Sequence, residues 1–322
     1  MKRALVVLLA LALGLTACGG QRKESSPGSG GRLTIATGNT TGVYYILGGG
    51  IAKIISSDLD GYRATAEATK ASKENVERIV SGQNDLAFSL ADTAADAVRG
   101  AHSFTAKQPV SALMRIYDNT THVIVRADSG ITSIAGMKGK SVSTGSPNSG
   151  TELIAHRLLA ANGMTVGDVQ QKKASLPETV EGMKDGSIQG MVWSGGLPTG
   201  GVKDLVASLG VGKLRFLDLT KELPAMQAEY GDAYQAGTIP ASTYGTRGAV
   251  RTIVVPNLLL VSNEMSDDLA GKLARLIFDK KAELEKIHPE AKNITLERAA
   301  KTGDVPLHPG AEKVLTELGA RR

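Results

Sequence analysis

Apolar positions along the chain follow two rhythms that take turns. Short apolar or alternating runs, RLTIAT (32–37), YRATAEAT (62–69) and DLAFSL (85–90), predict strands. Longer stretches with apolar residues three and four apart predict helices between them. Gly42 to about Leu59 reads as the first helix. Ser72 is placed to cap KENVERIVSG, with Gly82 as its stop, and Asp92 to cap ADTAADAVRG. Further on, Thr121–Ala127 and Lys140–Thr144 read as strands, and a helix from about Gly150 ends before Gly163. PETVEGMKDGSIQGMVW (177–193) then repeats the plan of ENVERIVSGQNDLAFSL (74–90): helix, glycine stop, polar step, buried strand. Such alternation is the pattern of an α/β fold, and its recurrence predicts two lobes built alike. The first lobe takes residues 32–125 and 251–322 and the second 126–250, with strands around Thr121–Ala127 and Thr252–Val261 as the hinge. SDDLAGKLARLIFDKKAELEKI (266–287) is the clearest amphipathic helix, capped by Ser266 and opened by acids.

The N-terminus departs from this alternation. MKRALVVLLALALGLTAC starts basic, runs apolar from Ala4 to Leu13 and closes on small residues and the only cysteine, Cys18. The apolar run is too short to span a bilayer, so it reads as a secretory signal, residues 1–17, rather than an anchor helix. LTAC resembles a bacterial lipobox, which makes Cys18 the lipidation site; the alternative is a signal peptide that merely contains a cysteine. Residues 18–31, rich in Gly and Ser, read as a flexible tether. A lone cysteine excludes an internal disulfide, and once acylated it leaves no thiol for catalysis. The expected location is therefore extracytoplasmic, with the body lipid-anchored to the membrane, where nucleotide cofactors are normally absent.

Composition narrows the chemistry further. Hydrophobic residues make up 42% of the chain, which suits a globular body rather than a multispan membrane protein. The formal net charge of +5 falls to +3 when Lys2 and Arg3 are removed with the signal, and no basic run interleaves with aromatics, so nucleic acid is not an expected partner. Two loops carry the candidate chemistry. TGNTTGVYY (37–45) leaves the first strand and enters the first helix, offering close backbone approach, hydroxyls of Thr40 and Thr41, and free helix-start amides. STGSPNSGTELIAHRLL (143–159) has the same design in the second lobe, although a plain N-cap also accounts for it. The phosphate-loop pattern fails because no Lys stands in the first loop, and GMKGKS (136–141) lacks the leading glycine. His102, His122, His156, His288 and His308 are dispersed without metal-like spacing, and no nucleophile elbow appears. No cofactor, metal or catalytic residue is expected. Asn75 and Asp92 serve a ligand or only their own backbone, and Trp193 reads as core packing.

Six stretches occur in a telling order: TIATGNTTGVYYILG, TKASKENVERIVSGQNDLAFSLAD, MKGKSV leading to GSPNSGTELIAHRLL, GGLPTGGVKDL, IPASTYG and LHPGAEKVLTELG. Together they resemble the TAXI family of TRAP-transporter solute receptors over about 32–320. The resemblance implies two α/β lobes of the type II periplasmic-binding-protein kind, joined by hinge strands. It implies a receptor that captures a small carboxylate-bearing or amino-acid-like solute (glutamate, glutamine or 2-oxoglutarate) and delivers it to an ion-gradient-driven permease. Carried over by position, it assigns Thr41, Gly42, Tyr44, Ser72, Asn75 and Asp92 to the ligand from the first lobe. From the second it assigns Ser149, Gly150, Thr151, Leu197 and Pro198. Lys70 and Ala71 depart from the family's usual pair of glycines, and Gln189 from a frequent Asp. No arginine stands out as counter-ion. Two other functions fit the same body: a sensory lipoprotein serving a membrane kinase, and a secreted enzyme on the same scaffold.

Overall fold

The computed structural model describes residues 30–321. The expected signal segment, Cys18 and all of the expected tether up to residue 29 lie outside the described residues. Strands and helices alternate at first: β1 (Arg32–Ala36), α1 (Val43–Asp58), β2 (Arg63–Glu67), α2 (Ser72–Val80), β3 (Leu86–Leu90) and α3 (Ala91–Arg99). After β4 (Val110–Arg126) the plan recurs as β5 (Ser141–Ser143), α4 (Gly150–Ala160), β6 (Gln170–Lys172), α5 (Leu176–Asp185), β7 (Gly190–Gly195) and α6 (Gly200–Leu209). The second half adds β8 (Leu214–Phe216), α7 (Leu223–Tyr230), β9 (Gln235–Ile239) and the one-turn α8 (Ala241–Tyr244). β10 (Val250–Ser262) then leads back, and α9 (Asp267–Asp279), α10 (Lys281–Ile287), α11 (Leu296–Ala299) and α12 (Pro309–Glu317) finish the chain.

The sheet runs β2-β1-β3-β10-β4-β7-β5-β6, with β8 on β4 and β9 on β10. β1 lies parallel between β2 and β3, and β5 lies parallel between β6 and β7. The two halves therefore share one strand order. Antiparallel β4 and β10 belong to both: β4 pairs with β10 from Val110 to Thr120, then with β7 from Thr120 to Val125. The result is a two-lobe α/β fold whose lobes hang on two continuous strands.

Each half buries its own core. Ile35, Leu47, Ile51, Phe88, Leu113 and Leu259 pack with Leu273 and Ile277 of α9 in the first. Val142, Ile154, Val192 and Tyr234 pack in the second, with Val180, Met191 and Val202 forming a further cluster under α5 and α6. Fully burying such side chains contributes about 1.5–3 kcal/mol each, so each half has an apolar nucleus of its own.

Four local expectations change. The strand expected from Thr121 begins at Val110, because its polar stretch is flanked by neighbouring strands rather than by water. The long C-terminal helix breaks at Lys280 into α9 and α10, although Ser266 caps α9 as expected, accepting from Leu269 N at 3.3 Å. Ser72 is not the cap of α2; Ala71 holds that place at φ 75, and the Ser72 hydroxyl accepts from Leu90 N at 3.1 Å. Asp92 is not the cap of α3 either: Leu90 is, and the Asp92 carboxylate accepts from Thr93 N at 2.6 Å one residue on.

Candidate functional site: a cavity between the halves

In an open α/β sheet the crevice beyond the carboxyl ends of the strands, where neighbouring connections diverge, is the usual ligand position. β1 and β5 are those divergence points here, each lying between two parallel neighbours. The loop after β1 carries Gly38, Asn39 and Gly42 into α1, and the loop after β5 carries Ser146 and Ser149 into α4. The two loops face each other across one cavity of about 30 Å³, gauged by the positions a water centre can take. Its wall draws on Gly38, Asn39, Gly42, Tyr44, Ala71, Ser72, Leu90, Tyr117 and Asn119, and from the other side on Ser146, Ser149, Gly150, Thr151, Trp193, Ser194 and Gly195.

The halves touch all round this cavity. Asn39 Oδ1 accepts from Leu176 N at 3.1 Å, and Glu74 N donates to Asn148 O at 3.2 Å. Gly150 sits against Leu90 and Ser72, and Gly42 sits against the Trp193 ring. Three helices present their N-termini to the space. α1 starts at Gly42 and α2 at Ala71, neither with a side-chain cap, while Ser149 caps α4 by accepting from Glu152 N at 3.0 Å. Uncapped helix starts leave amide donors and a positive dipole end facing the cavity.

A polar chain fixes the floor. The Tyr44 hydroxyl donates to Asn257 Oδ1, Asn257 Nδ2 donates to Asn119 Oδ1 at 2.8 Å, and Asn119 Nδ2 donates to Ser194 O at 3.2 Å. Burial pushes the Tyr44 and Tyr117 phenols well above their usual range, so both stay neutral. No charged side chain is among the residues lining the cavity.

Six of the residues singled out from sequence meet here: Gly42, Tyr44, Ser72, Ser149, Gly150 and Thr151. The others lie elsewhere. Thr41 lies at an outer groove beside Gly200 and Gly201, with its hydroxyl oxygen buried. Asn75 is buried behind the loop, donating to Thr37 O and Phe88 O at 2.7 Å each and accepting from Thr69 Oγ1 at 2.6 Å, so it ties α2 to the sheet. Asp92 is held by Arg157 at 3.2 Å and by the Tyr234 hydroxyl. Leu197 and Pro198, joined by a cis peptide, reach across to the C-terminal segment, where Leu197 N donates to Glu290 and Pro198 O meets His288. Sequence reading missed Tyr117 and Asn119, which lie on the unpredicted first part of β4, and Ser194. It read Trp193 as packing only; the ring does join a core cluster, but it also walls the cavity, and its Nε1 donates to Thr199 Oγ1 at 3.1 Å.

Residues 35–319 match the model of the NMT1-like family. The chain belongs to the NMT1-like family. This NMT1-like chain also resembles solved structures across most of its length. One is a protein of Bordetella bronchiseptica RB50, at 17% identity, 88% of each chain and a TM-score of 0.53. Another is the binding-protein component of an ABC phosphonate transporter from Pseudomonas aeruginosa, at 15% identity, 82% of this chain, 80% of that one and a TM-score of 0.51. A third is an ancestral arginine-binding protein bound to arginine, at 13% identity, 81% of this chain, 97% of that one and a TM-score of 0.50. At such identities the likeness concerns the fold, which is that of two-lobe periplasmic binding proteins. No described helix is long and apolar enough to cross a membrane, and no described cluster of His, Cys, Asp and Glu could hold a metal ion.

Proposed function

We propose that this NMT1-like chain is an extracytoplasmic solute receptor that traps one small carboxylate-bearing molecule between its lobes and hands it to a membrane permease. The observation that carries this reading is the convergence of two equivalent strand-to-helix loops, one per half, on a single cavity. A solute there touches both halves only when they meet, so binding shifts the population towards the closed form. Residues 32–125 with 251–322 form one moving body and 126–250 the other, with β4 and β10 as hinge. The order of the sequence motifs supports a TAXI-type TRAP receptor as the finer assignment. The N-terminal pattern supports lipid anchoring through Cys18, which keeps the receptor beside its permease.

The ligand residues under this proposal are those around the cavity: Gly42, Tyr44 and Ser72 from the first half, and Ser149, Gly150 and Thr151 from the second. A thermal-shift panel of small carboxylates and amino acids identifies the solute, since a ligand specific to the folded state raises apparent stability by mass action. Ser72→Ala and Ser149→Ala are then each expected to weaken calorimetric affinity by about tenfold, the scale of one lost hydrogen bond to a charged group. If both variants hold the solute as tightly as the parent, the two-sided site is wrong.

A further inference from the structure

Asn39 and Asn148 sit on the two loops that meet between the halves, and each spends an oxygen on a helix of the other half. Asn39 Oδ1 accepts from Leu176 N, the first amide of α5, at 3.1 Å. α5 caps itself only in part. Ser175 Oγ accepts from Glu178 N and Pro177 carries no N–H, so Leu176 N is the first-turn donor left over. On the other side Glu74 N, in the first turn of α2, donates to the Asn148 carbonyl at 3.2 Å. The cap position of α2 is Ala71, which offers no side-chain oxygen. Asn148 stands at φ 62, a left-handed conformation that asparagine tolerates, and its own N–H is held by Glu152 Oε2 at 2.8 Å.

The two bonds are counterparts. α2 runs into β3 and α5 runs into β7, the same place in the repeated plan of the two halves. The loop after β1 completes α5, and the loop after β5 completes α2. A helix start that finds its acceptor only across the cleft is complete only while the halves stay together. On separation its amide turns to water, so each bond favours the joined form by a net factor of about two to ten.

Resting on the receptor reading, we propose that Asn39 and Asn148 form a reciprocal latch, in which the cavity loop of each half caps a helix of the other and so holds the closed form. Asn39 also lines the cavity, but it acts by positioning the second half rather than by gripping the solute. Closure thereby acts on both helix starts at once, and loss of one bond loosens the other.

That coupling is what the experiment reads. Asn39→Ala removes the acceptor, whereas Asn39→Asp keeps it, a carboxylate being an equally good partner for a helix start. Amide hydrogen exchange of the purified full-length protein, without added solute, is followed residue by residue by NMR. Asn39→Ala is expected to speed exchange threefold or more at Leu176 and, across the cleft, at Glu74. Asn39→Asp is expected to return both amides to parent rates. Phe88 and Met191, on a central strand of each half, are expected to keep parent rates throughout. Acceleration confined to Leu176 marks a local cap and overturns the latch, as does no acceleration at either amide. Acceleration that persists in Asn39→Asp, or that extends to Phe88 and Met191, overturns it too. The receptor reading fails separately, on the solute affinities of Ser72→Ala and Ser149→Ala, which these exchange rates do not enter.

Discussion

Gly150 opens α4 in the second half, yet the contact that restricts it belongs to the first. A Cβ there would lie 2.5 Å from Leu90 Cδ1 and 2.7 Å from Ser72 Oγ. Under the proposed receptor function those atoms approach when the halves close. Gly150→Ala is therefore expected to leave the unliganded melting temperature nearly unchanged but to weaken solute affinity. Overpacking of this kind costs about 1–3 kcal/mol, and calorimetry beside a melting curve separates the two effects. His122 carries a different test. It is fully buried, with Nδ1 on Thr120 O at 2.8 Å and Nε2 on the Tyr244 hydroxyl at 3.1 Å, and burial pushes it down to about 4 from an ordinary 6.5. Between those values the unfolded chain takes a proton that the folded one refuses, so stability is full above pH 6.5 and falls as pH drops towards 4. The loss is about 3 kcal/mol. Burial also lowers His156 and His288, which adds loss of the same sign. Urea unfolding of the parent against His122→Gln across this range reads the slope; equal slopes refute the assignment. Residues also show where sequence reading stops. Ser149 is legible as a cap because its partner, Glu152 N, is local. Ser72 and Asp92 look like caps too, but tertiary partners took the Ser72 hydroxyl and one Asp92 oxygen, and the other Asp92 oxygen accepts from Thr93 N. Ala71 at φ 75 is a strained non-glycine in the cavity wall, where the sequence shows only a departure from a usual glycine.

Between elements, the decisive contact joins α3 of the first half to α4 of the second. Arg157 on α4 donates to Asp92 at 3.2 Å and to Asp96 at 2.6 Å, and its guanidinium lies over the Tyr230 ring at 4.0 Å. Burial alone would lower the Arg157 pKa, but Tyr234, Asp92 and Asp96 together hold it above its usual value, so the cation persists. Removing one partner of such a buried set costs about 3–5 kcal/mol because the remaining charges lose compensation. Under the proposed receptor function the loss falls on the closed form, since Arg157 joins α4 to α3. Arg157→Met is therefore expected to raise the radius of gyration in small-angle scattering and to weaken solute affinity at least tenfold. A parent-like scattering profile and affinity would show that the contact does not bias closure. None of this is visible in the sequence, because Asp92 and Arg157 stand 65 positions apart and each reads as an ordinary helical charge. The first part of β4 was hidden for a related reason. Its DNTT stretch is polar, yet Asp118 pairs with Arg115 and Arg298, and Asn119 bonds Asn257 and Ser194. A strand that changes partners midway buries polar residues that a half-exposed strand would turn to water.

At the scale of the whole molecule, the repeated strand order and the shared strands β4 and β10 make one hinged body out of two similar halves. Most of each core comes from one half, with Leu90 of β3 reaching into the core of the second. The sequence by itself determined the elements, their alternation and the two loops, since apolar period, glycine stops and helix starts act over a few residues. It also carried the likeness between the halves, because equal supersecondary plans leave equal patterns. Tertiary structure alone decided which residues face the cavity. It brought Tyr117, Trp193 and Ser194 to the wall and drew Thr41, Asn75 and Asp92 away from it. The physical reason is range: periodicity and capping are settled by near neighbours, whereas the lining and charge of a cleft are set by residues far apart in the chain that meet only in the folded molecule.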